Sequence, residues 1–445
     1  MTATARPAAP QVSRGTTIRD FVDHHRSISI IVVMVLVTIA MYFLPLFPPL
    51  SIVQGAGTWY DAFANAGVFV LLAMGLNVVI GMAGLLDLGY AAFFAIGAYA
   101  YAYSNSPFSH LDLPFFPMLI IGAFVAAVFG ILLGAPTLRL RGDYLAIMTL
   151  GFGEIVPIVF LNLDKYTQGT NGIGGIYRPE PLPFLGPFSA ISPFNYFVVM
   201  VGIVTLTMIL LYRLQDSRIG RAWNAIREDE LAAAANGINT VTTKLLAFAL
   251  GATTSGLAGV FNASKLTIVS PDQFLFTVSF TVLAMVILGG MGNIWGVAIG
   301  AFVVYMIQVV ILKNINGVLE TLGVPAFDLG PLHVDLKNVP FVEFQFLLYG
   351  VALVLMMLLR PEGLFPSQRR RQELHIAEEF DEGIEEVGPI PVAAAVESPA
   401  AEPDPSSFPV GGDAALGGGS ASTGPSDAAA LDRGEPDTRE PGDAR

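Results

Sequence analysis

The residues with chemistry to offer are few, and most are charged side chains set between long apolar runs. The stretch GRAWNAIREDELAAAANGI, Gly220 to Ile238, carries Arg221, Arg227, Glu228, Asp229 and Glu230 in a chain that is 53% hydrophobic and only 13% charged. Two acids stand apart from it: Asp87, flanked by Gly81, Gly84 and Gly89, and Glu154, flanked by Gly151, Gly153 and Pro157. The five histidines (His24, His25, His110, His333 and His375) fall in loops or termini and form neither an H-x-x-x-H pair nor a nucleophile-base spacing, which argues against an enzyme. With no cysteine, disulfides, thiolate zinc sites and thiol catalysis are excluded. There is no G-x-x-x-x-G-K-[ST] and no Gly-Lys dipeptide, so no phosphate-cradling loop of that kind exists here. Any nucleotide chemistry that serves this chain belongs to another polypeptide.

These side chains must be held by membrane elements. A length of 445 residues, a mean hydropathy of +0.63 and repeated apolar windows of about 20 residues describe an all-α polytopic membrane protein. Ten candidate spans follow, at about 28–47, 61–81, 90–103, 117–137, 144–162, 194–213, 243–262, 274–292, 297–313 and 343–359, or eight to nine if short segments re-enter rather than cross. The first is too long for a signal-peptide core and reads as an uncleaved anchor. With both termini cytoplasmic, the inside segments hold 18 Lys/Arg and the outside segments five, the asymmetry expected of inward-facing loops.

The net charge of −13 resides almost wholly in the tail, where 17 Asp/Glu and three Lys/Arg follow Gln372. That balance therefore says nothing about a substrate. Rich in Ala, Gly, Pro and Ser, residues 367–445 cannot bury enough apolar surface to order themselves, and a disordered acidic cytoplasmic tail is expected. Residues 1–26 are expected to be a mostly disordered cytoplasmic segment, and 27–366 the transmembrane domain.

Glycine-interrupted spans mark where a passage can form, because freed backbone groups survive at depth only against protein partners or a cavity. One interruption surrounds Asp87; the other, Gly289, Gly290, Gly292 and Gly296, surrounds Asn293 and Trp295. A faint repeat pairs them, since Leu72-Ala73-Met74 and Leu283-Ala284-Met285 each precede a Gly-Met. Close helix packing explains the same glycines equally well. Glu154 lies about 11 residues, roughly 16 Å, into its span, where an ionised carboxylate facing lipid costs several kcal/mol. It is either a path residue or one half of a structural pair. Asp87, Glu154, Asn293 and Trp295 are the candidate translocation-path residues.

From Arg218 the pattern is helical and too polar to cross, with Trp223, Ile226 and Glu230 on one face, an alanine run, and Asn236-Gly237 as a left-handed stop. A solvated face accounts for such a helix, but so does seating in a partner's groove. Glu230, Ala232, Ala233 and Gly237 resemble the EAA loop of ABC-importer permeases, with Leu231 where a glutamate is usual and Glu230 one position early.

A broader resemblance rests on GLNVVIGMAGLLDLGYAAFFAIGAYAYA (Gly75 to Ala102), LRLRGDYLAIMTLGFGEIV (Leu138 to Val156), SRIGRAWNAIREDELAAAANGI (Ser217 to Ile238), KLLAFALGATTSGLAGVF (Lys244 to Phe261), VSPDQFLF (Val269 to Phe276) and VILGGMGNIWG (Val286 to Gly296). In this order they resemble the LivM-type permease of branched-chain amino acid ABC importers, from about Ala64 to Pro366. The resemblance implies a bacterial plasma-membrane subunit that moves leucine, isoleucine and valine, with no cofactor of its own. It also implies a second permease, two ATPase subunits and an extracytoplasmic binding protein. Arg221, Arg227, Glu228, Glu230, Ala232, Ala233 and Gly237 would then form the ATPase-coupling helix, about 218–238. Gly169, Thr170, Asn171 and Gly172, in a loop that resembles the family's T-G-G-x-N-G-I with Gln168 in place of the first glycine, would dock the binding protein. Two alternatives stay open: a urea or short-amide permease of the same class, and an ion-coupled carrier that uses Glu154 and Asp87.

Overall fold

The computed structural model describes residues 26–46, 56–109, 111–137, 140, 142–181, 186–188, 193–312, 327–329, 332–334, 344–360 and 363–365. The expectations for the N-terminal segment and for the acidic tail lie outside the described residues.

The described chain is mostly helical. In order come α1 (Arg26–Phe43), α2 (Ala56–Asn77), α3 (Ala91–Ser104), α4 (Phe115–Thr137), α5 (Asp143–Asn162), α6 (Phe194–Gln215), α7 (Arg218–Glu228), α8 (Glu230–Ala235), α9 (Thr240–Leu266), α10 (Phe276–Gly289), α11 (Ile294–Met306) and α12 (Gln345–Leu359). Six segments are long and apolar enough to cross a membrane: Gly57–Met82, Phe115–Thr137, Asp143–Asn162, Phe194–Gln215, Thr240–Leu266 and Pro271–Gly289. Three further apolar helices, Ser27–Phe43, Ile294–Val309 and Gln345–Leu359, are shorter. This supports a multi-pass protein, with six full-length spans among the described residues and the three shorter helices at the first, ninth and tenth expected spans.

Two helices form the centre. α2 packs against α6, α9 and α11, and α9 packs against α2, α3 and α4, while α1 lies on α6 and α12 on α10. Sequence explains why α9 can sit so deep. Between apolar helices there is no hydrophobic driving force in lipid, so close approach of backbones matters most. A Cβ on Gly97 of α3 would come 2.4 Å from the Gly256 carbonyl oxygen of α9, and one on Gly256 would come 2.6 Å from Ala126 Cβ of α4. The small-residue stripe of α9 thus holds three helices together. α9 also runs longer than its apolar window, because Asn239 accepts a hydrogen bond from the Thr242 N–H at its start.

The break after α2 is a single π turn, Val78–Met82, followed by irregular chain up to Tyr90. Non-helical backbone amid packed helices needs partners, and here side chains supply them. Thr149 Oγ1 accepts from the Leu88 N–H at 3.0 Å, Asp87 Oδ1 from the Gly89 N–H at 2.9 Å, and Ser279 Oγ from the Ala91 N–H at 2.9 Å. The opposite end carries a two-stranded antiparallel ladder, β1 (Ile173–Gly174) on β2 (Ile268–Val269), that ties the loop after α5 to the end of α9.

Candidate functional site

The charged stretch folds as two helices rather than one continuous one. Ser217 opens α7 by accepting from the Ile219 and Gly220 N–H groups. Asp229, in extended backbone, ends α7 and caps α8 by accepting from the Leu231 and Ala232 N–H groups. The second cap is legible in the sequence as an Asp before an Ala run, but the helical periodicity hid it. At the far end Gly237, with φ of +85°, closes α8 as expected. Its N–H donates to the Ala234 carbonyl and the Ile238 N–H to the Ala233 carbonyl, the 5→2 and 6→1 pair of a Schellman stop.

One face of this pair is anchored. Trp223 is fully buried and its Nε1 donates to the Thr243 carbonyl at 2.7 Å. Glu230 pairs with Lys244 of α9 at 2.6 Å. Arg227 donates to the Gly81 carbonyl at 2.6 Å, inside the π turn, and packs so closely on Gly84 that a Cβ there would meet Arg227 Cγ at 2.8 Å. The opposite face has no cover among the described residues. Leu231 is 68% exposed, and Ala232, Ala234 and Ala235 are exposed beside it, while Ala233 turns inward. Of the residues expected to touch an ATPase, Ala232 lies on the open edge, and Ala233, Arg227 and Glu230 face this chain's own helices. Arg221 is exposed and its Nη1 donates to the Asp216 carbonyl at 2.9 Å.

The two glycine interruptions meet. Asn77 Oδ1 accepts from the Gly292 N–H at 2.8 Å, and a Cβ on Gly81 would lie 2.6 Å from that same nitrogen. Arg227 therefore grips one interruption at the point where it abuts the other. Asn77, central to this junction, was missed by sequence reasoning, although a buried amide next to a glycine break is the signal that could have found it.

The four candidate path residues do not converge. Asp87 is 2% exposed, with its second carboxylate oxygen lacking a protein partner beside a cavity of about 10 Å³ shared with Thr137, Thr149 and Phe152, room for about one water. Glu154 points away from it, exposed on the open side of α5. Asn293 donates to the Phe365 carbonyl at 3.0 Å. Trp295 lines a separate apolar cavity of about 250 Å³ with Met34, Met200 and Phe302. α5 is the least enclosed of the long spans, with 28% of its apolar window buried. Gly151, Glu154, Ile158 and Asn162 lie along that open side.

At the β1–β2 end, Gly169–Asn171 form a 3-10 turn. Gly172 has φ of +66° and a Cβ there would sit 2.3 Å from the Val269 carbonyl oxygen, so only glycine fits. Gly169 and Gly172 shape the turn while Thr170 and Asn171 project outward. Gln168 occupies a left-handed conformation, φ 58°, where a glycine costs nothing. Nearby, Lys265 in the last turn of α9 bridges to Asp61 of α2 at 2.8 Å and donates to Asn65 Oδ1 at 2.5 Å. This ion pair was also missed, although a lysine at the end of an apolar span is itself a signal.

A family model for the branched-chain amino acid transport system permease component matches residues 60–357, which include the π turn, the α7–α8 pair and the open face of α5. The chain belongs to that permease family. Its members are membrane subunits of transporters, not enzymes. The chain is similar to the high-affinity branched-chain amino acid transport system permease protein LivM of Salmonella typhimurium, 37% identical over 329 residues that cover 69% of this chain and 70% of the relative. The LivM protein of Escherichia coli K12 matches at the same identity and coverage. More distantly it resembles the LivH permease of Escherichia coli K12, 23% identical over 258 residues, covering 55% of this chain and 82% of that one. No solved structure matches.

Proposed function

We propose that this chain is one of two permease subunits of an ATP-driven importer that carries leucine, isoleucine and valine into the cell. The observation that carries this reading is the matched family over residues 60–357 together with the α7–α8 pair, anchored on one face and bare on the other. An ATPase groove seated on Leu231 and Ala232 would move α7–α8 as a unit, and Arg227 would pass that motion to the Gly81 carbonyl and the adjoining Gly292. ATP is bound and hydrolysed on the partner, since this chain has no phosphate loop.

The partner permease covers the open side of α5. A carboxylate left in hydrocarbon is costly, and Glu154 has no partner among the described residues of its own chain. Between two permeases it lines the passage, where transient contact with a substrate ammonium group suffices. Selection then rests on a binding protein docked at the Thr170–Asn171 turn. The likeness to LivM proteins favours branched-chain amino acids over urea or short amides.

The test is labelled leucine uptake by the assembled importer in liposomes, with isoleucine, valine, urea and acetamide as competitors. Competition by the two aliphatic amino acids alone is expected. Competition by urea, or uptake that collapses with an ionophore while ATP remains, would overturn the reading.

A further inference from the structure

Between the α7–α8 pair and the adjacent ends of α5 and α9 lies a cavity of about 220 Å³. This is below the roughly 300 to 1,000 Å³ of sites for drug-sized ligands, and of a size for a small metabolite. Its wall carries both signs of charge, Arg227 and Lys244 with Glu230 and Asp143, and an aliphatic side formed by Leu85 and Leu145. A phosphate site would be basic alone and a lipid-tail site apolar alone. A wall that offers a cation, an anion and an aliphatic surface within one small volume matches a zwitterion with a short aliphatic side chain.

Lys244 keeps capacity for such a guest, since its printed contact is the one on Glu230 and a lysine ammonium has three donors. The Glu230–Lys244 and Arg227–Gly81 contacts hold these groups in place in advance, which lowers the ordering cost of binding. We propose that this cavity binds a free aliphatic α-amino acid from the coupling-helix side. Its carboxylate meets Arg227 and Lys244, and its ammonium meets Glu230 and Asp143. The site is distinct from the passage beside Glu154. An occupant wedged there ties α7–α8 to α5 and α9, the elements that must shift if the joint is to move, so accumulated product slows further import. This inference rests on the reading that the chain is an amino acid importer permease whose α7–α8 pair faces the cytoplasm.

The experiment uses the full importer in liposomes, with binding protein and labelled leucine outside and ATP plus graded unlabelled leucine inside. Initial uptake is expected to fall as internal leucine rises. Internal leucinamide and isocaproate, each lacking one of the two charges, are expected to inhibit at least about tenfold more weakly, the ratio that corresponds to about 1.4 kcal/mol. Asp143→Asn and Leu86→Trp, the latter filling the cavity from its wall, are expected to raise the half-inhibiting leucine concentration by a similar factor and leave uptake without internal leucine unchanged. Arg227, Glu230 and Lys244 are unsuitable for this purpose because they also serve the joint. In parallel, labelled leucine is added to the detergent-purified complex without binding protein. Saturable binding weakened by both substitutions supports the cavity. Absent binding, or inhibition that isocaproate reproduces and neither substitution changes, overturns it. A complex that binds leucine in this way but imports none contradicts the proposed function instead.

Discussion

Single residues set the sharpest expectations. Arg227 reaches from α7 to a carbonyl of the π turn, and a hydrogen bond to a charged group is worth about 1.5 to 3 kcal/mol. Arg227→Met is expected to leave the ATPase bound and hydrolysing but to cut uptake by about tenfold or more; parallel ATPase and uptake assays on one preparation check it, and equal loss of both would contradict it. Glu154→Gln keeps the shape and some hydrogen bonding of the acid, whereas Glu154→Lys places a like charge against a substrate ammonium. The lysine variant is expected to lose uptake while the permease pair still co-purifies, and loss of the pair would favour a purely structural role. Gln168 and Thr267 both hold φ of 58°, a conformation that costs non-glycine residues roughly 1 to 2 kcal/mol. Gln168→Gly and Thr267→Gly are each expected to raise the Tm of the purified complex. The chemistry of Asp87 and Glu154 was legible as acids in apolar surroundings. Their directions were not: a sequence gives the period of a helix, but which side finds neighbours depends on the other helices, and Asp87 proved enclosed while Glu154 faced outward.

At the scale of elements, the helices themselves were readable because apolar length and glycine breaks are local signals. The α7–α8 division was not anticipated, since one capping aspartate outweighed an unbroken amphipathic pattern. This division changes which substitutions probe the partner contact. Glu230 and Ala233 are tied into their own chain, so changes there disturb the joint from within. Leu231→Arg and Ala232→Trp alter only the bare edge, and are expected to abolish ATPase co-purification with normal membrane insertion. Trp223→Ala instead empties a buried site, at a cost of about 3 to 5 kcal/mol, and is expected to lower the yield of folded protein. The meeting of the two glycine interruptions, hinted at by a weak repeat, shows how a long-range contact can leave only a faint trace in sequence.

Across the described residues, α2 and α9 form a tightly packed centre, while one side of α5 and the outer face of α7–α8 stay uncovered. These two uncovered surfaces are what an isolated permease of a larger assembly should present. The absence of cysteine makes the orientation directly measurable, because single cysteines at Leu231 and Thr170 would be the only thiols in the chain. The expected result is labelling of the first from the cytoplasmic side and the second from outside, and the reverse would invert the topology.

The central claim is that energy reaches these helices through the α7–α8 contact from a separate ATPase. Leucine accumulation in liposomes measures it directly, comparing this chain alone under proton and sodium gradients with the full complex supplied with ATP. The account predicts no concentrative uptake by the single chain and ATP-dependent uptake by the complex that Ala232→Trp removes. Concentrative uptake by the single chain from an ion gradient would contradict it.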